Sequence, residues 1–124
     1  MTFGNYLKKL REERELSLRV MSLLSKVNYT YINRLERGEK TKPSEPVLKS
    51  LAKALRLKDR RLGVFMILGK WLEMPDSLFH LSFREGSDLT LDLIEIGMTL
   101  KSRGAHPRTE KEWLITLSEI KKHL

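Results

Sequence analysis

The chain has 124 residues, of which 40% are hydrophobic and 32% charged, and its formal net charge is +8. This length suits one compact domain or two very small ones. The absence of cysteine excludes disulfides, cysteine-based zinc sites and cysteine catalysis. No apolar run reaches the length of a membrane span and no stretch has the pattern of a signal peptide. We therefore expect a cytoplasmic protein with no membrane partner.

The positive charge is concentrated in the first half of the sequence. Residues 1–61 contain 16 Lys and Arg against 7 Asp and Glu, whereas residues 62–124 contain 8 against 9. A basic half joined to a near-neutral half predicts a polyanion-binding module followed by a separate interaction module. Charge alone does not distinguish DNA from RNA or from an anionic membrane.

Two short helices are predicted at the start of the chain. Thr2 is a predicted N-cap for the first and Ser17 for the second. The segment Ser25-Lys26-Val27 that follows has about the length of the turn in helix-turn-helix units. The apolar faces predicted for these helices are Phe3, Leu7 and Leu10 in the first and Leu18, Met21 and Leu24 in the second.

The third helix is the candidate functional element. Asn28 is predicted to cap it, Gly38 to end it in the left-handed conformation, and Ile32 and Leu35 to form its inward face. The outward side chains are Tyr29, Thr30, Asn33, Arg34 and Arg37. All of them can hydrogen-bond, and the two guanidinium groups suit guanine edges or phosphate. Such a helix fits a DNA major groove, although the segment by itself would also be an ordinary solvated amphipathic helix.

Two further helices are predicted before residue 75. Ser44 is expected to start a fourth helix and Asp59 to cap a fifth that runs to about Met74. The buried side of the fourth helix is predicted to be Val47, Leu48, Leu51, Ala52 and Leu55. The fifth helix is almost wholly apolar from Leu62 to Leu72, so it is either a central core helix or a helix covered by a partner subunit.

The C-terminal part is predicted to end in two helices. Residues 77–83 are too short for periodicity to distinguish a helical turn from a strand. Ser87 or Asp88 is expected to cap a sixth helix through about Lys101, and Thr109 with Glu112 forms a predicted capping box for the last helix. The apolar stripes are Leu91, Ile94 and Met98 in the sixth helix and Trp113, Leu117, Ile120 and Leu124 in the last. The fold class is therefore all-α, with a helical hairpin over residues 88–124.

The first half resembles the Cro/cI-type, or XRE-like, helix-turn-helix family. The resemblance covers Phe3 to Leu57 and rests on L-S-x-x-x-M-S, V-N-x-x-x-I-x-R-L-E-R-G and P-S-x-x-V-L-x-x-L-A-x-A-L. It implies a five-helix, lambda-repressor-like DNA-binding domain at residues 1–74, whose third helix enters the major groove of a double-stranded DNA operator.

The resemblance also assigns roles to individual residues. Leu18 stands where the family usually has a backbone-binding glutamine, which Arg19 could replace electrostatically, and Lys26 stands where it usually has a turn glycine. Arg11 and Glu36 match a partly buried ion pair between helices one and three. The positions that match base contacts are Tyr29, Thr30, Asn33 and Arg34. Those that match phosphate contacts are Ser17, Asn28, Arg37, Lys40 and Lys42, with Arg19 added by charge.

A second resemblance concerns the run L-K-S-R-G-x-x-P-R-x-x-x-E-W from Leu100 to Trp113. It is similar to the C-terminal region of the Deinococcus radiation/desiccation-response repressor group. It implies a helical dimerisation and regulatory region at residues 75–124 and inactivation by an ImmA/IrrE-type metallopeptidase that cuts near Ser102 and Arg103.

These resemblances predict a stress-response repressor, bacterial or phage-encoded and nucleoid-associated. One recognition helix reads few base pairs, so we expect a homodimer on a palindromic site. The predicted dimer surface consists of Phe65, Leu68, Trp71, Leu91, Ile94, Met98, Trp113, Leu117 and Ile120.

Other functions are weighed against this one. His80, His106 and His123 fall in separate elements without metal-ligand spacing, so we predict no enzyme activity, no metal and no cofactor. RNA binding is disfavoured because the sequence has no aromatic stacking platform or glycine clamp. The alternative from another class is an antitoxin whose C-terminal half neutralises a toxin and which regulates its own operon. A neighbouring toxin gene would favour the antitoxin, and a neighbouring metallopeptidase gene the repressor.

Overall fold

The computed structural model describes residues 1–39, 42–86, 88–104 and 106–124. Over these residues the chain is all-α, as predicted, and it forms two compact units, Met1–Glu73 and Met74–Leu124. The helices of the first unit are α1 (Phe3–Glu13), α2 (Leu18–Ser25), α3 (Tyr29–Glu36), α4 (Glu45–Ala54) and α5 (Asp59–Trp71). Those of the second are α6 (Asp76–Ser82), α7 (Leu91–Ser102) and α8 (Glu110–Lys121).

Helices α1 to α4 begin at the residues that the sequence marks as N-caps. In each case the side-chain oxygen accepts a hydrogen bond from a backbone N–H two or three residues further along, which satisfies a donor that has no partner within the helix. The four caps are Thr2, Ser17, Asn28 and Ser44. Local side-chain chemistry therefore sets where the helices of the first unit start.

The starts of α5 and α7 differ from the predicted ones. Asp59 is the first residue of α5 and not its cap, and Lys58 before it makes no capping bond with its side chain. Helix α7 starts after Thr90, whose hydroxyl accepts from the N–H of Leu93 at 3.2 Å. Asp88 has a left-handed φ of 53°, so the chain turns there before the helix begins. Ser87, the other predicted cap, lies outside the described residues.

One hydrophobic core joins the helices of the first unit. The ring of Phe65 on α5 lies 5.1 Å from that of Phe3 and 6.5 Å from that of Tyr6, measured between centroids. Further buried residues of this core are Leu7, Leu10, Met21, Ile32, Leu35, Leu48, Leu51, Ala52, Leu55, Val64, Ile67 and Leu68. The side of α5 that carries Val64, Phe65, Ile67 and Leu68 is therefore covered by its own chain, as the central-core interpretation requires, whereas Leu62 is 36% exposed.

The dimer role predicted for two residues of α5 is wrong. Phe65 and Leu68 are fully buried, so neither is available to a partner, whereas Trp71 is only half-buried. The helix also ends at Trp71, before the predicted end near residue 74. Leu72 takes a left-handed φ of 70°, and its carbonyl accepts from the N–H of Phe3 at 2.8 Å. This bond brings the end of α5 to the start of α1.

The buried face of α2 is rotated from the predicted one. Met21 is fully buried and Ser25 is buried beside it, but Leu24 is 56% exposed. Residues of a helix are about 100° apart, so Met21 and Ser25 lie within about 40° of each other and Leu24 lies about 100° from Ser25. The small serine takes the interior position, and the leucine that was predicted to be inside faces solvent.

The second unit contains the predicted α7–α8 hairpin and a third helix, α6, which packs against both. Helix α6 occupies the segment for which periodicity was undecided. Gly97 on α7 makes the packing close, because a Cβ there would lie 3.3 Å from side-chain carbons of both Leu78 and Trp113. At the start of α8, Thr109 accepts from the N–H of Glu112 as predicted, but the Glu112 carboxylate accepts from the N–H of Arg108, one residue before the cap.

Four residues that were predicted as dimer contacts form the core of this unit. Ile94, Met98, Trp113 and Leu117 are all at most 3% exposed, so that prediction is wrong for them. The interior face of α7 is centred on Leu93, Ile94, Gly97 and Met98. Leu91 lies at the edge of this face and is 37% exposed, Ile120 is half-buried, and Leu124 beyond the end of α8 is 81% exposed.

The ion pair between α1 and α3 is present and nearly closed to solvent. Nε and an Nη of Arg11 donate to the two carboxylate oxygens of Glu36 at 2.7 and 2.9 Å. The side chains of Arg11 and Glu36 are only 12% and 5% exposed. Arg11 also donates to the carbonyl of Leu16 at 2.7 Å. The hydrogen bonds to Glu36 raise the pKa of Arg11.

Removing the arginine from this pair should destabilise the first unit strongly. We expect Arg11→Met to lower the free energy of unfolding by about 3–5 kcal/mol, because it leaves the Glu36 carboxylate buried without a counter-ion. The double variant Arg11→Met/Glu36→Leu should recover most of this loss, since it leaves no buried charge. Urea unfolding of the full chain measures both, with the exposed Lys9→Met as the matched control. Equal stability of Arg11→Met and Lys9→Met would refute the assignment.

Candidate DNA interface

Helix α3 is short and is fixed at both ends. Oδ1 of Asn28 accepts from the N–H groups of Thr30 and Tyr31 at 2.8 and 3.3 Å. At the other end Gly38 has a φ of 76°, which lets its N–H bond to the carbonyl of Leu35 and the N–H of Glu39 bond to the carbonyl of Arg34. A side chain at residue 38 would strain this turn.

The back of α3 lies directly on α1. Ile32 and Leu35 are buried, and a Cβ at Gly4 of α1 would overlap the carbonyl oxygen of Leu35. A glycine at residue 4 is therefore required for this approach, which the sequence alone did not indicate. Together with the Arg11–Glu36 pair, this contact leaves the opposite face of α3 outermost.

The predicted base-contact residues share that outer face. Tyr29 is 43% exposed, Thr30 and Arg34 are exposed, and Asn33 is half-buried. The structure therefore brings all four together on one surface of one helix. Amide, hydroxyl and guanidinium groups supply both donors and acceptors, which is what the edges of base pairs in a major groove require.

The predicted phosphate-contact residues that the structure describes lie at helix starts or at exposed positions. Ser17 and Asn28 stand at the N-termini of α2 and α3, where free N–H groups and the helix dipole favour an anion. Two of the basic candidates, Arg37 and Lys42, are exposed. Lys40 lies outside the described residues, and the structure adds nothing to that prediction.

Arg19 has a partner that sequence reasoning missed. Its guanidinium carbon lies 5.9 Å from the centre of the Tyr29 ring, in a cation–π arrangement that joins the start of α2 to the start of α3. Leu18, which stands in the place of the usual glutamine, is half-buried. The guanidinium group of Arg19 is thus held beside Tyr29, at the start of the outer face of α3. An arginine ten residues before a tyrosine is too common a pattern to have predicted this contact.

Glu39 is a second residue that the sequence did not single out. Its carboxylate lies 3.6 Å from Nε of Arg34 and 3.2 Å from an Nη of Arg37. All three side chains are about half exposed, so each pair contributes little to stability. The carboxylate nevertheless sits between two of the predicted DNA contacts, where it lowers the local positive charge.

The turn between α2 and α3 has the left-handed conformation although it lacks the usual glycine. Lys26 has a φ of 61° and a ψ of 19°. Two serines hold the turn: Ser22 donates to the carbonyl of Val27 at 2.6 Å, and Ser25 accepts from the N–H of Val27 at 3.2 Å. These bonds offset part of the steric cost of a left-handed lysine.

The described residues lack the features of two other kinds of site. Across residues 1–39, 42–86, 88–104 and 106–124, no group of three or more His, Asp or Glu side chains is placed to hold a metal ion. Within these ranges no helix is both long enough and apolar enough to cross a membrane.

Comparison with known proteins agrees with this geometry. Residues 2–62 match the family described as "Helix-turn-helix domain". The chain is 38% identical over 56 residues to the HTH-type transcriptional repressor RghR of Bacillus subtilis, a match that covers 45% of this chain and 42% of the relative. It is 30% identical over 123 residues, 95% of each chain, to the HTH-type transcriptional regulator DdrOP3 of Deinococcus deserti.

The chain therefore belongs to the family of HTH-type transcriptional regulators and is a DNA-binding protein, not an enzyme. The similarity to DdrOP3 extends over both units, whereas the similarity to RghR is about the length of the first unit alone. The match to DdrOP3 agrees with the resemblance of residues 100–113 to the Deinococcus repressor group.

Proposed function

We propose that this regulator is a repressor that binds a palindromic double-stranded DNA operator as a homodimer and is inactivated by a metallopeptidase. The observation that carries DNA recognition is the outer face of α3. Its polar side chains are exposed together, while its apolar back and the Arg11–Glu36 pair fix the helix to α1. Repression follows the name of the relative RghR.

In this proposal the exposed residues divide into two groups. The residues that read base edges are Tyr29, Thr30, Asn33 and Arg34. The residues that bind phosphate are Ser17, Arg19, Asn28, Arg37, Lys40 and Lys42. Phosphate contacts give affinity and orientation, whereas base contacts give the choice of sequence.

Glu39 increases this selectivity. When DNA is absent, its carboxylate pairs with Arg34 and Arg37. Arg34 leaves that partner most favourably when a guanine offers two acceptors in return. Random DNA offers only phosphate to the same guanidinium, so the competing carboxylate weakens non-specific binding more than specific binding.

Pairing of two chains supplies the second half-site. Because the buried residues of the second unit are not available to a partner, the dimer contact must use the apolar side chains that are exposed on that unit. The exposed ones are Phe83 and Leu91 at 37%, Ile115 at 57% and Leu124 at 81%. Ile115 stands on the outer side of α8, which makes this helix the proposed centre of the dimer contact.

The proposed cut lies where α7 ends. Ser102 and Arg103 are exposed, and Gly104 follows with a φ of 96°. Cleavage there leaves Trp113 and the rest of α8 attached to α6 and α7 by packing alone, and a chain break makes that packing far weaker. A dimer that depends on α8 would separate, and each monomer would lose the second half-site.

Arg34 and Lys42 should behave differently on DNA. We expect Arg34→Ala to cost about 1–3 kcal/mol on the preferred site and to relax selection at one base position. Lys42→Ala should weaken every sequence alike and lower the salt slope of log K by about one. Selection from a random DNA pool followed by anisotropy titrations measures both, with the exposed Lys111→Ala of the second unit as control.

Arg34→Ala also removes one of the two ion-pair partners of Glu39. The titration should therefore be repeated with protein that carries Glu39→Gln, with and without Arg34→Ala. A loss that is equal on selected and random DNA in both backgrounds would make Arg34 a phosphate contact. A pool from which no sequence is enriched would refute sequence-specific recognition itself.

Assembly can be tested by placing a charge on α8. We expect the full chain to sediment as a dimer at micromolar concentration and Ile115→Glu to shift it to monomer, because the new carboxylate would be buried in the interface without a partner. Leu23→Glu, an equally drastic change on the first unit, should leave the dimer intact. A wild-type monomer that binds its selected site tightly and without cooperativity would contradict the proposal.

Proteolytic control can be tested by co-expression with an ImmA/IrrE-type metallopeptidase, taken from beside the gene if one is encoded there. Fragment masses should correspond to cleavage near residues 102 and 103, and the product should sediment as a monomer. A metallopeptidase inactivated at its metal ligands is the matched control. Intact protein, or cleavage only between residues 39 and 43, would refute this control mechanism and leave the DNA-binding proposal standing.

A further inference from the structure

A groove of about 480 Å³ opens in the first unit where α1, α2 and α4 end. It is lined by Arg14 after α1, Lys26 after α2, and Lys53 and Arg56 at the end of α4. Leu24 and Leu16 form part of its wall. We refer to this feature as the basic groove. Its volume is in the range of sites that hold a ligand or several side chains.

The four cations of the basic groove are unneutralised. No carboxylate lines the groove, and over the described residues none of the four forms an ion pair. Their positions at helix C-termini explain why positive charge is tolerated there, since the carbonyl ends of helices attract cations. Helix dipoles supply only partial charges, however, so the groove keeps a concentrated positive potential.

The edge of the groove is apolar. Leu24 is 56% exposed, its neighbour Leu23 is 78% exposed, and Val20 one turn earlier is 41% exposed. Val20 and Leu24 are four residues apart and so lie on the same face of α2, and of these exposed residues Leu24 is the one that lines the groove.

The four cations of the basic groove are different residues from the proposed DNA contacts, although Arg14 lies three residues before Ser17 and Lys26 two residues before Asn28. Ser17 stands at the start of α2 and Lys26 at its end, a separation of about 12 Å for eight residues. Likewise Lys42 precedes α4 whereas Arg56 follows it. Lys26 and Arg56 therefore lie at the opposite ends of α2 and α4 from Ser17 and Lys42, and none of the four cations belongs to helix α3.

We infer that the basic groove binds an acidic amphipathic segment of another protein. Carboxylates of that segment would pair with Arg14, Lys26, Lys53 and Arg56, and an apolar side chain beside them would cover Leu24. A two-fold pairing of this groove with itself does not fit, because it would face cations with cations. A DNA backbone satisfies the cations but leaves Leu24 against charged phosphate. This inference is independent of the DNA-binding proposal.

The test uses the full chain and three fluorescein-labelled 14-residue peptides. The first carries four glutamates along one helical face and two leucines beside them. The second has glutamine in place of each glutamate, and the third has serine in place of each leucine. We expect the first peptide to bind at least about tenfold more tightly than either of the others in anisotropy titrations, and to weaken as salt is raised.

Two variants locate the binding site. Lys53→Glu and Leu24→Ser should each weaken the first peptide by about tenfold or more, because one reverses a groove charge and the other removes the apolar contact. Lys9→Glu, an exposed charge reversal outside the groove, is the matched control and should change binding by less than about threefold. Both groove residues are at the surface, and circular dichroism checks that each variant is folded.

Three outcomes would overturn the inference. Equal binding of the glutamate and glutamine peptides would remove the role of the cations. An unchanged affinity in both Lys53→Glu and Leu24→Ser would place the peptide elsewhere. Displacement of the peptide by a random 20-bp duplex, together with a duplex affinity that Lys53→Glu lowers as much as Arg37→Ala does, would make the groove a phosphate site.

Discussion

The bidentate ion pair of Arg11 with Glu36 is the constraint on which the orientation of α3 depends. Hydrophobic contacts through Ile32 and Leu35 hold the helix against α1, but such contacts are not directional and permit rotation. Two parallel hydrogen bonds between planar groups fix the angle as well as the distance. Because the same arginine binds the carbonyl of Leu16, the loop before α2 is positioned with α3.

Features that depend on neighbouring residues were predictable from the sequence. The N-caps Thr2, Ser17, Asn28 and Ser44 and the left-handed stop at Gly38 are local, because a cap needs only a polar atom within two or three residues of a free N–H. The outer face of α3 follows from helical periodicity. The pair Arg11–Glu36, 25 residues apart, was accessible only through resemblance to a family.

Features that depend on distant parts of the chain were not predictable. Leu24 and Trp113 are both apolar at helical spacing, yet one is 56% exposed and the other fully buried, because burial depends on which element covers the face. Glu39 binds Arg34 and Arg37 only because Gly38 reverses the chain between them. The exposed apolar residues of α2 were missed for the same reason.

The left-handed lysine in the helix-turn-helix turn has a consequence for the lifetime of the regulator. A non-glycine residue in this conformation costs roughly 1–2 kcal/mol, and Glu15 and Arg56 adopt it as well. Where hydrogen bonds do not offset this cost, each such residue multiplies the unfolded fraction by about 5- to 30-fold relative to an unstrained turn. Cellular proteases act on the unfolded fraction. Strain at these turns therefore shortens the time for which a molecule persists after its synthesis stops.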